Sequence, residues 1–335
     1  MHQIAGPCHA DGVRRVICAE LGPPETLRLE DVPSLEPHAG QVVIDVEAAG
    51  VNFVDVLFIA GQYQIKPPLP FTPGSEVAGT VVAVGEGVEG WEVGARVLAN
   101  CGLGGYAEQV AVAPIQVVRV PDSLTAAQAA AFAQSYCTAM FALRERAGLR
   151  AGETVLILGA GGGVGLAAID VACLLGANVI AAASSEAKRA AARRQGANAV
   201  IDYLTEDVKL WARELSGGGV DVVVDPVGGP TAEAALRALR EFGRYLVIGF
   251  AAGEIPRLPL NQVLLRNRSI VGVDWGAWSL RFPTENAALL RELLGLAAEG
   301  RLHPQEPTVY PMEDVARALV DLRDRKVTGK VVLRP

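Results

Sequence analysis

The sequence predicts an α/β protein of two domains, a small β-barrel and a doubly wound parallel sheet. Its 335 residues are about twice the length of an ordinary domain. Short strands and turns fill the chain up to Pro121, and alternating strands and helices follow. The second pattern, with nearly continuous apolar strands, is typical of a parallel sheet covered on both faces. We expect residues 1–124 and 278–335 to form the barrel domain, with 1–12 as an extension, and 125–277 to form the second domain.

In the first domain the clearest strand is 41–49, where Val42, Ile44, Val46 and Ala48 share one face. This spacing of two is the strand period. Gly, Pro and acidic turns separate the further predicted strands. These are 76–84, 96–98, 106–112 and 117–120, and the tail adds helices at 289–298 and 313–323 and a strand at 329–333.

The second domain is predicted to begin with an alanine-rich helix at 123–147 and to continue as repeated strand–helix units. The predicted strands are 154–158, 178–183, 199–202, 220–225, 244–248 and 269–273. The predicted helices between them are 164–175, 187–195, 207–215 and 231–239.

The composition excludes several classes of protein. Half of the residues are apolar and 20% are charged, which excludes a disordered chain. The net charge of −7 argues against a general nucleic-acid or anionic-membrane binder and favours small partners. Charges at Asp11, Arg14 and Arg15 are unlike a secretory signal, and six glycines interrupt the apolar stretch 155–180. We therefore expect a cytoplasmic protein without a membrane span.

A glycine-rich segment, GAGGGVG at 159–165, lies between a predicted strand and a predicted helix. Ala160, Gly162 and Gly165 occupy the AxGxxG positions of a dinucleotide fingerprint. Glycine lets the backbone approach a pyrophosphate, whose charge is favourable at a helix N-terminus. A tight strand-to-helix turn is the alternative, but the surrounding strand–helix units favour a dinucleotide.

The residues at the end of the second strand of this domain indicate which of the two nicotinamide cofactors, NAD or NADP, is bound. An NAD site typically has Asp or Glu there, whereas this chain has Ala183, Ser184 and Ser185. Ser184 can donate to a 2′-phosphate and Lys188 can neutralise it, with Arg189 as a further helper. NADPH is therefore favoured. Alternatively, Ser185 only caps the helix and Lys188 is solvated, and Glu186 adds a local negative charge.

Five segments recur in the order known from one family: VNFVDVLFIAGQY at 51–63, FTPGSEVAGTVVAVGEGV at 71–88, GAGGGVGLAAIDVA at 159–172, DPVGG at 225–229 and KVTGKVVL at 326–333. Together they resemble the zinc-free quinone oxidoreductases of the medium-chain dehydrogenase/reductase superfamily, from residue 13 to the end. The resemblance implies a GroES-like catalytic domain, a Rossmann domain, NADPH as hydride donor and a homodimer.

The chain lacks the zinc ligands of related dehydrogenases. Where those relatives have a GHE motif, this chain has Gly74, Ser75 and Glu76. Its four histidines are isolated, and its five cysteines include no C-x-x-C pair and no four-cysteine lobe. We expect no metal.

The same resemblance places Asn52 and Tyr63 where the family lines its nicotinamide and quinone cleft. Both side chains can donate hydrogen bonds to a carbonyl oxygen as it gains charge. The alternative is that Asn52 is a turn residue and Tyr63 a half-buried aromatic residue, and helix capping explains Asp55 equally well.

Cofactor contacts implied by the resemblance are spread over both domains, and Tyr203 and Phe250 among them have packing as an alternative role. The expected contacts are Thr138, Gly162, Gly163, Val164, Ser184, Lys188, Tyr203, Phe250 and Lys326. Gln134 and Asp274 depart from the residues that the family favours, which affects the substrate pocket rather than the cofactor site.

The expected function is an NADPH-dependent, metal-free reductase that transfers hydride to a quinone. A second acceptor class, the β-carbon of an α,β-unsaturated carbonyl or thioester, requires the same electronics. A protein of another class, which binds NADPH as a structural component without turnover, is the remaining alternative.

Overall fold

The computed structural model describes residues 12–335, so the predicted extension, apart from Gly12, lies outside the described residues. The chain divides into two compact units. Unit 1 comprises the residues up to Ala133 together with Pro283–Ala298 and Gln305–Pro335, and unit 2 comprises Gln134–Phe282 and Glu299–Pro304. The boundaries expected after residues 124 and 277 thus lie after residues 133 and 282.

The short segment 299–304 groups with unit 2 because hydrogen bonds attach it there. The backbone N–H of His303 donates to the buried Asp170 carboxylate at 2.6 Å, and Gln195 Nε2 donates to the His303 carbonyl at 3.0 Å.

Along the described chain the strands are β1 Val13–Ile17, β2 Arg28–Val32, β3 Val42–Val51, β4 Glu76–Val84, β5 Arg96–Asn100, β6 Gln109–Val112, β7 Val117–Arg119, β8 Thr154–Ile157, β9 Asn178–Ala183, β10 Ala199–Asp202, β11 Val220–Asp225, β12 Leu239–Val247, β13 Ser269–Gly272, β14 Thr308–Pro311 and β15 Val331–Arg334. The α-helices are α1 Phe53–Ile59, α2 Ala126–Ala130, α3 Ala133–Met140, α4 Gly163–Leu174, α5 Glu186–Arg194, α6 Val208–Leu215, α7 Thr231–Ala238, α8 Leu260–Leu264, α9 Trp275–Arg281, α10 Pro283–Ala298 and α11 Val315–Arg323.

Unit 1 is built on a seven-stranded sheet in the order β14-β15-β3-β4-β5-β7, with β6 also paired to β3. All of these pairs are antiparallel except β14 with β15. Because β3 pairs with three strands and α2 packs against it, Val43 is as buried as Val42 and Ile44. The burial of successive side chains in β3 therefore alternates less clearly than the sequence pattern that predicted the strand.

Unit 2 contains the predicted parallel sheet, which is confirmed, in the order β10-β9-β8-β11-β12-β13. Every residue of β11 is buried, as expected for a central strand covered on both faces.

The predicted long helix at 123–147 is wrong in its extent. Thr125 and Gln128 form a capping box, in which each side chain accepts from the other residue's backbone N–H at 3.1 Å, so α2 begins at Ala126. The helix is interrupted before Ala133, next to the boundary between the units, and α3 then widens into a π-helical turn at Phe141–Arg146.

Among residues 12–335, no helix is both long enough and apolar enough to cross a membrane.

Candidate functional site

The strand order of unit 2 reverses at β8. The strands β8, β9 and β10 progress in one direction from this point, and β11 begins on the other side of β8. Ligands of open parallel sheets bind at the carboxyl ends of the strands at such a reversal. The turns that follow β8 and β11 touch each other here, since a Cβ added to Gly159 would lie 2.6 Å from Val227 Cγ2. This edge is the candidate dinucleotide site.

The glycines of the turn after β8 have different physical roles. Gly159 has φ +59°, and a Cβ on Gly165 would lie 2.3 Å from the Gly159 carbonyl oxygen, so the fold itself requires these two glycines. Gly162 has φ −91°, and a Cβ there would meet only the Gly159 oxygen, at 3.4 Å. The fold therefore tolerates a side chain at residue 162, and the space beside it fits the approach of a ligand.

The N-terminus of α4 presents backbone donors at the same point. Gly162 caps this 12-residue helix, and the first intrahelical bond runs from Leu166 N–H to the Gly162 carbonyl. The amides of Gly163 and Val164 precede that bond and lie in the first turn, where the helix dipole favours an anion. A pyrophosphate fits this donor set.

Lys188 lies against the glycine-rich turn. A Cβ on Gly161 would be 2.5 Å from Lys188 Cβ and Cγ, so the absence of a side chain at Gly161 makes room for the lysine stem. Ser185 caps α5, and its hydroxyl accepts the Lys188 N–H at 3.4 Å. Ser184 is half-buried at the end of β9. The structure thus brings Lys188 to the turn that holds Gly162, and Ser184 follows β9, the strand that pairs with β8.

Arginines neutralise the acidic side chains near Lys188. Arg189 pairs with Asp202 at 2.8 Å and with Glu186 at 3.2 Å, and Arg193 pairs with Glu186 at 2.8 Å. The hydrogen bond from Arg193 holds the pKa of Glu186 below its ordinary value. Arg189, which the sequence suggested as a helper of Lys188, is therefore occupied by two carboxylates.

The other expected cofactor residues of unit 2 lie on several elements. Tyr203 directly follows β10, and Phe250 follows β12 with 36% of its surface exposed. Thr138 lies on α3 and is 8% exposed. Tyr203 and Phe250 share the carboxyl edge of the sheet with the glycine-rich turn.

In unit 1, Asn52 and Asp55 frame the start of α1. The Asn52 N–H donates to Asp55 Oδ2 at 2.8 Å, and the Tyr106 hydroxyl donates to the same oxygen at 2.7 Å. Asn52 and Asp55 are 6% and 0% exposed. Helix capping is thus an observed role of Asp55.

The Asn52 side chain belongs to a buried polar cluster. Its Nδ2 donates to Glu76 Oε1 at 3.0 Å and to Ser75 Oγ at 3.5 Å, and its Oδ1 accepts from Lys330 Nζ. Lys330 Nζ also donates to Glu76 Oε1 at 2.8 Å. Both amide hydrogens of Asn52 are therefore directed at partners inside unit 1.

This cluster contains two buried carboxylates and one ammonium. Burial raises the pKa of Asp55 to about 6, against the opposing effects of Tyr106, the Asn52 N–H and Lys330. Asp55 Oδ1 is buried and has no hydrogen-bond partner among the described residues. A proton on Asp55 would leave one carboxylate, Glu76, to balance Lys330.

Tyr63 and Lys326 have contacts of their own in unit 1. Tyr63 is half-buried, with its ring 4.8 Å from that of Phe58. Lys326 Nζ lies 3.3 Å from Asp321 Oδ1 and 3.5 Å from Asp324 Oδ2. The expected cofactor contact of Lys326 would compete with these two carboxylates.

Among residues 12–335, no group of three or more His, Cys, Asp or Glu side chains is arranged to hold a metal ion. A cation bound beside Ser75 and Glu76 would face the ammonium of Lys330. The nearby thiol of Cys101 is also a poor ligand, because burial raises its pKa to about 12.

Lys330 and Tyr106 are site residues that the sequence did not reveal. Lys330 is separated from Asn52 by 278 positions, and it reaches the cluster because β15 pairs with β3, with Val331 opposite Val51. The only available signal was the TGK segment that precedes the last strand, and it does not identify a partner.

The sequence matches two domain families. Residues 38–122 match the alcohol dehydrogenase GroES-like domain, and residues 163–292 match the zinc-binding dehydrogenase family. The chain is 40% identical over 336 residues to the quinone oxidoreductase-like protein 2 homolog of Nematostella vectensis, covering 98% of this chain and 90% of that protein. Among solved structures, a mycobacterial protein in complex with NADPH has a TM-score of 0.89 and 34% identity, covering 96% of this chain and 100% of that one. The quinone oxidoreductase of Escherichia coli in complex with NADPH has a TM-score of 0.87 and 29% identity, with the same coverage of 96% and 100%.

The raised pKa of Asp55 predicts a pH-dependent stability. With a pKa of about 6 in the folded state against 3.8 as the ordinary value, the native state retains a proton that the unfolded state releases. The stabilisation is complete below the unfolded pKa and is lost as the pH rises through 6, by roughly 3 kcal/mol in total. We expect Asp55→Asn to remove this dependence, as measured by urea unfolding between pH 4 and 7.

The exposed carboxylate of Asp31 supplies the matched control, Asp31→Asn. If the unfolding free energies of the wild type and Asp55→Asn run parallel across this pH range, Asp55 does not carry the buried proton.

Proposed function

The chain belongs to the quinone oxidoreductase family of the medium-chain dehydrogenase/reductases, and we propose that it binds NADPH and transfers hydride to a quinone. The observation that carries this proposal is the space beside Gly162, which lies at the N-terminus of α4 and at the reversal of strand order. The NADPH complexes of the mycobacterial and Escherichia coli proteins support the choice of cofactor.

Bound NADPH supplies the hydride from its nicotinamide ring. The amides of Gly163 and Val164 hold the pyrophosphate, while Ser184 and Lys188 hold the 2′-phosphate. The remaining proposed contacts are Thr138, Tyr203, Phe250 and Lys326. Because Arg189 and Arg193 neutralise Glu186 and Asp202, the phosphate near Lys188 meets little repulsion.

Tyr63 and Asn52 are the two candidate donors to the acceptor oxygen. Both amide hydrogens of Asn52 already have partners in Glu76 and Ser75. We propose that Tyr63 donates to the acceptor as charge develops on its oxygen, and that Asn52 does so only if its internal hydrogen bonds rearrange.

We also propose that the reaction needs no metal ion. The ammonium of Lys330, 2.8 Å from Glu76 Oε1, supplies the positive charge of the cluster and opposes a cation beside Ser75. Turnover should therefore survive exhaustive chelation.

The function is tested by following NADPH absorbance with a panel of quinones and α,β-unsaturated carbonyl compounds, with and without a chelator. Faster turnover of quinones supports the proposal, and faster turnover of the enones assigns the alternative acceptor class. Tight NADPH binding without acceleration of any acceptor would indicate a structural NADPH-binding protein. Activity lost to the chelator and restored by zinc would contradict the metal-free reaction.

Lys188→Ala should weaken NADPH binding and leave NADH binding nearly unchanged, because only NADPH carries the 2′-phosphate. The loss of one charge-assisted contact costs roughly 1.5–3 kcal/mol, about tenfold to a hundredfold in affinity. Fluorescence titration measures both dissociation constants. Arg194→Ala, which removes an exposed charge from the same helix, is the control. Equal affinities of the wild type for NADPH and NADH would contradict the assignment.

Two glycine variants should separate binding from folding. Gly162→Ala should weaken NADPH binding by more than about tenfold and lower the unfolding free energy by less than about 1 kcal/mol, since its Cβ meets only one atom, at 3.4 Å. Gly165→Ala should cost roughly 1–3 kcal/mol of stability, since its Cβ would lie 2.3 Å from the Gly159 oxygen. Titration and urea unfolding measure the two effects, and wild-type affinity in Gly162→Ala would show that no ligand approaches there.

Tyr63→Phe retains the ring and removes the hydroxyl, so it should lower kcat and leave the NADPH affinity unchanged. Loss of one donor costs ~10²-fold where water is excluded, and less where solvent replaces it. Steady-state kinetics with a saturating quinone measure kcat, and Tyr310→Phe is the control in the same unit. An unchanged kcat with a higher KM for the quinone would instead make Tyr63 a wall of the acceptor pocket.

A homodimer through the edge strand β13 is also proposed. β13 pairs with β12 on one side, Ile270 is 39% exposed, and the preceding Leu264 and Leu265 are 77% and 70% exposed. Pairing of two β13 strands would remove two sheet edges and cover this apolar surface. Light scattering at micromolar concentration should give the dimer mass, and Ile270→Lys should give a monomer. The control is Leu204→Lys, a 68% exposed leucine just after β10. A monomeric wild type would refute the dimer.

A further inference from the structure

Asp225, the last residue of β11, is a buried carboxylate whose two oxygens are both hydrogen-bonded. Oδ1 accepts the backbone N–H groups of Val227 and Gly228, each at 2.8 Å. Oδ2 accepts the hydroxyl of Tyr245, which lies on the neighbouring strand β12. Asp225 and Tyr245 are 2% and 1% exposed. One carboxylate thus connects the loop after β11 to the strand beside it.

The loop 226–229 is joined to the loop 248–254 by backbone hydrogen bonds. The Pro226 and Val227 carbonyls accept from Ala251 and Ala252 at 3.2 and 2.8 Å, and Gly229 N–H donates to the Glu254 carbonyl at 3.2 Å. Anything that holds the first loop therefore also holds the second.

These paired loops contact two parts of the proposed cofactor site. Val227 lies against Gly159 of the glycine-rich turn, and a Cβ on Gly228 would be 2.9 Å from the Phe250 ring. Gly228 and Gly229 both have φ +64°. Two adjacent glycines in the left-handed region give this loop many accessible conformations, so its observed conformation depends on its anchors.

We infer that Asp225, braced by Tyr245, is a positioning residue that holds the loops 226–229 and 248–254 in the conformation that binds NADPH. The inference rests on the proposed function, because the ligand of this edge is the proposed cofactor. Asp225 acts through Val227 and Phe250, and its own carboxylate is fully used by the protein.

The physical basis is the population of the binding-competent loop. When only a fraction of the free protein has that conformation, the observed dissociation constant rises by the inverse of the fraction. Loss of the Tyr245 hydrogen bond leaves a buried carboxylate oxygen without its donor, which favours water entry and loop opening. A purely structural pair would lower the unfolding temperature and leave the dissociation constant unchanged.

The test compares Tyr245→Phe and Asp225→Asn with Tyr136→Phe. The control removes a similar buried bond in the same unit, because the Tyr136 hydroxyl donates to Asp170 Oδ2 at 2.8 Å, and Asp170 binds His303 rather than either loop. We expect the NADPH dissociation constant to rise about tenfold in Tyr245→Phe and by more in Asp225→Asn. The control should keep its affinity while losing thermal stability. The kcat of both variants at saturating NADPH and quinone should stay within about twofold of the wild type, because the ligand restores the loop conformation.

Hydrogen exchange provides a second readout on the same proteins. The amides of Val227 and Gly228 should exchange faster in the free variants than in the free wild type, and saturating NADPH should restore their protection. If Asp225→Asn does not fold, the NADPH affinity and the hydrogen exchange of Tyr245→Phe test the inference.

Wild-type affinity and wild-type exchange in Tyr245→Phe would overturn the positioning role. Failure of the wild type itself to bind NADPH would refute the proposed function instead, so the two failures are distinguishable.

Discussion

The ammonium of Lys330 is the charge on which the buried cluster of unit 1 depends. Glu76 is 1% exposed and accepts from Lys330 Nζ at 2.8 Å, and the same ammonium donates to Asn52 Oδ1. A buried carboxylate without such a partner carries a desolvation penalty of several kcal/mol. Asp55 lies in the same cluster with a pKa raised to about 6 by burial, so proton uptake reduces the charge that one ammonium must balance. The cluster around Lys330 therefore links the start of α1 to the paired strands β15 and β3. It also fixes the orientation of the Asn52 side chain.

Two buried carboxylates of unit 2, Asp170 and Asp225, are satisfied by a different arrangement, in which neutral donors replace the cation. Asp225 accepts two backbone amides and the Tyr245 hydroxyl, and Asp170 accepts the Tyr136 hydroxyl and the His303 amide. Burial raises the pKa of both tyrosines, so their hydroxyls remain protonated donors. Dipolar donors satisfy the carboxylate without adding a charge that would need burial of its own. Each pair also has a positional effect, since one anchors a loop beside the glycine-rich turn and the other attaches the segment 299–304.

The sequence predicted the parallel sheet of unit 2 well, because strands buried on both faces are continuous apolar runs that need no knowledge of their partners. β9, β10 and β11 begin and end at the predicted residues. It did not predict that the alanine-rich run at 123–147 is interrupted, because alanine favours a helix throughout and the interruption lies beside the boundary between the units. The cluster around Lys330 was also missed, since it depends on the pairing of β15 with β3, which brings Lys330 to Asn52 across 278 positions. The fingerprint predicted the glycine-rich turn but could not distinguish Gly165, which the fold requires, from Gly162, which it does not.

The placement of charge around α5 explains how an acidic protein can present a site for an anion. The chain carries a net charge of −7, and two acidic side chains, Glu186 and Asp202, lie at the start of α5 and at the end of β10. Arg189 pairs with both of them and Arg193 pairs with Glu186, so these two carboxylates add little to the local field. Coulomb interactions between exposed groups are screened within about 10 Å, so the overall negative charge has little influence at this edge while neighbouring groups dominate. In the proposed cofactor site, selectivity for a phosphate would therefore depend on the side chains within one helical turn of Ser184, and the arginines of α5 would act on it indirectly by removing repulsion.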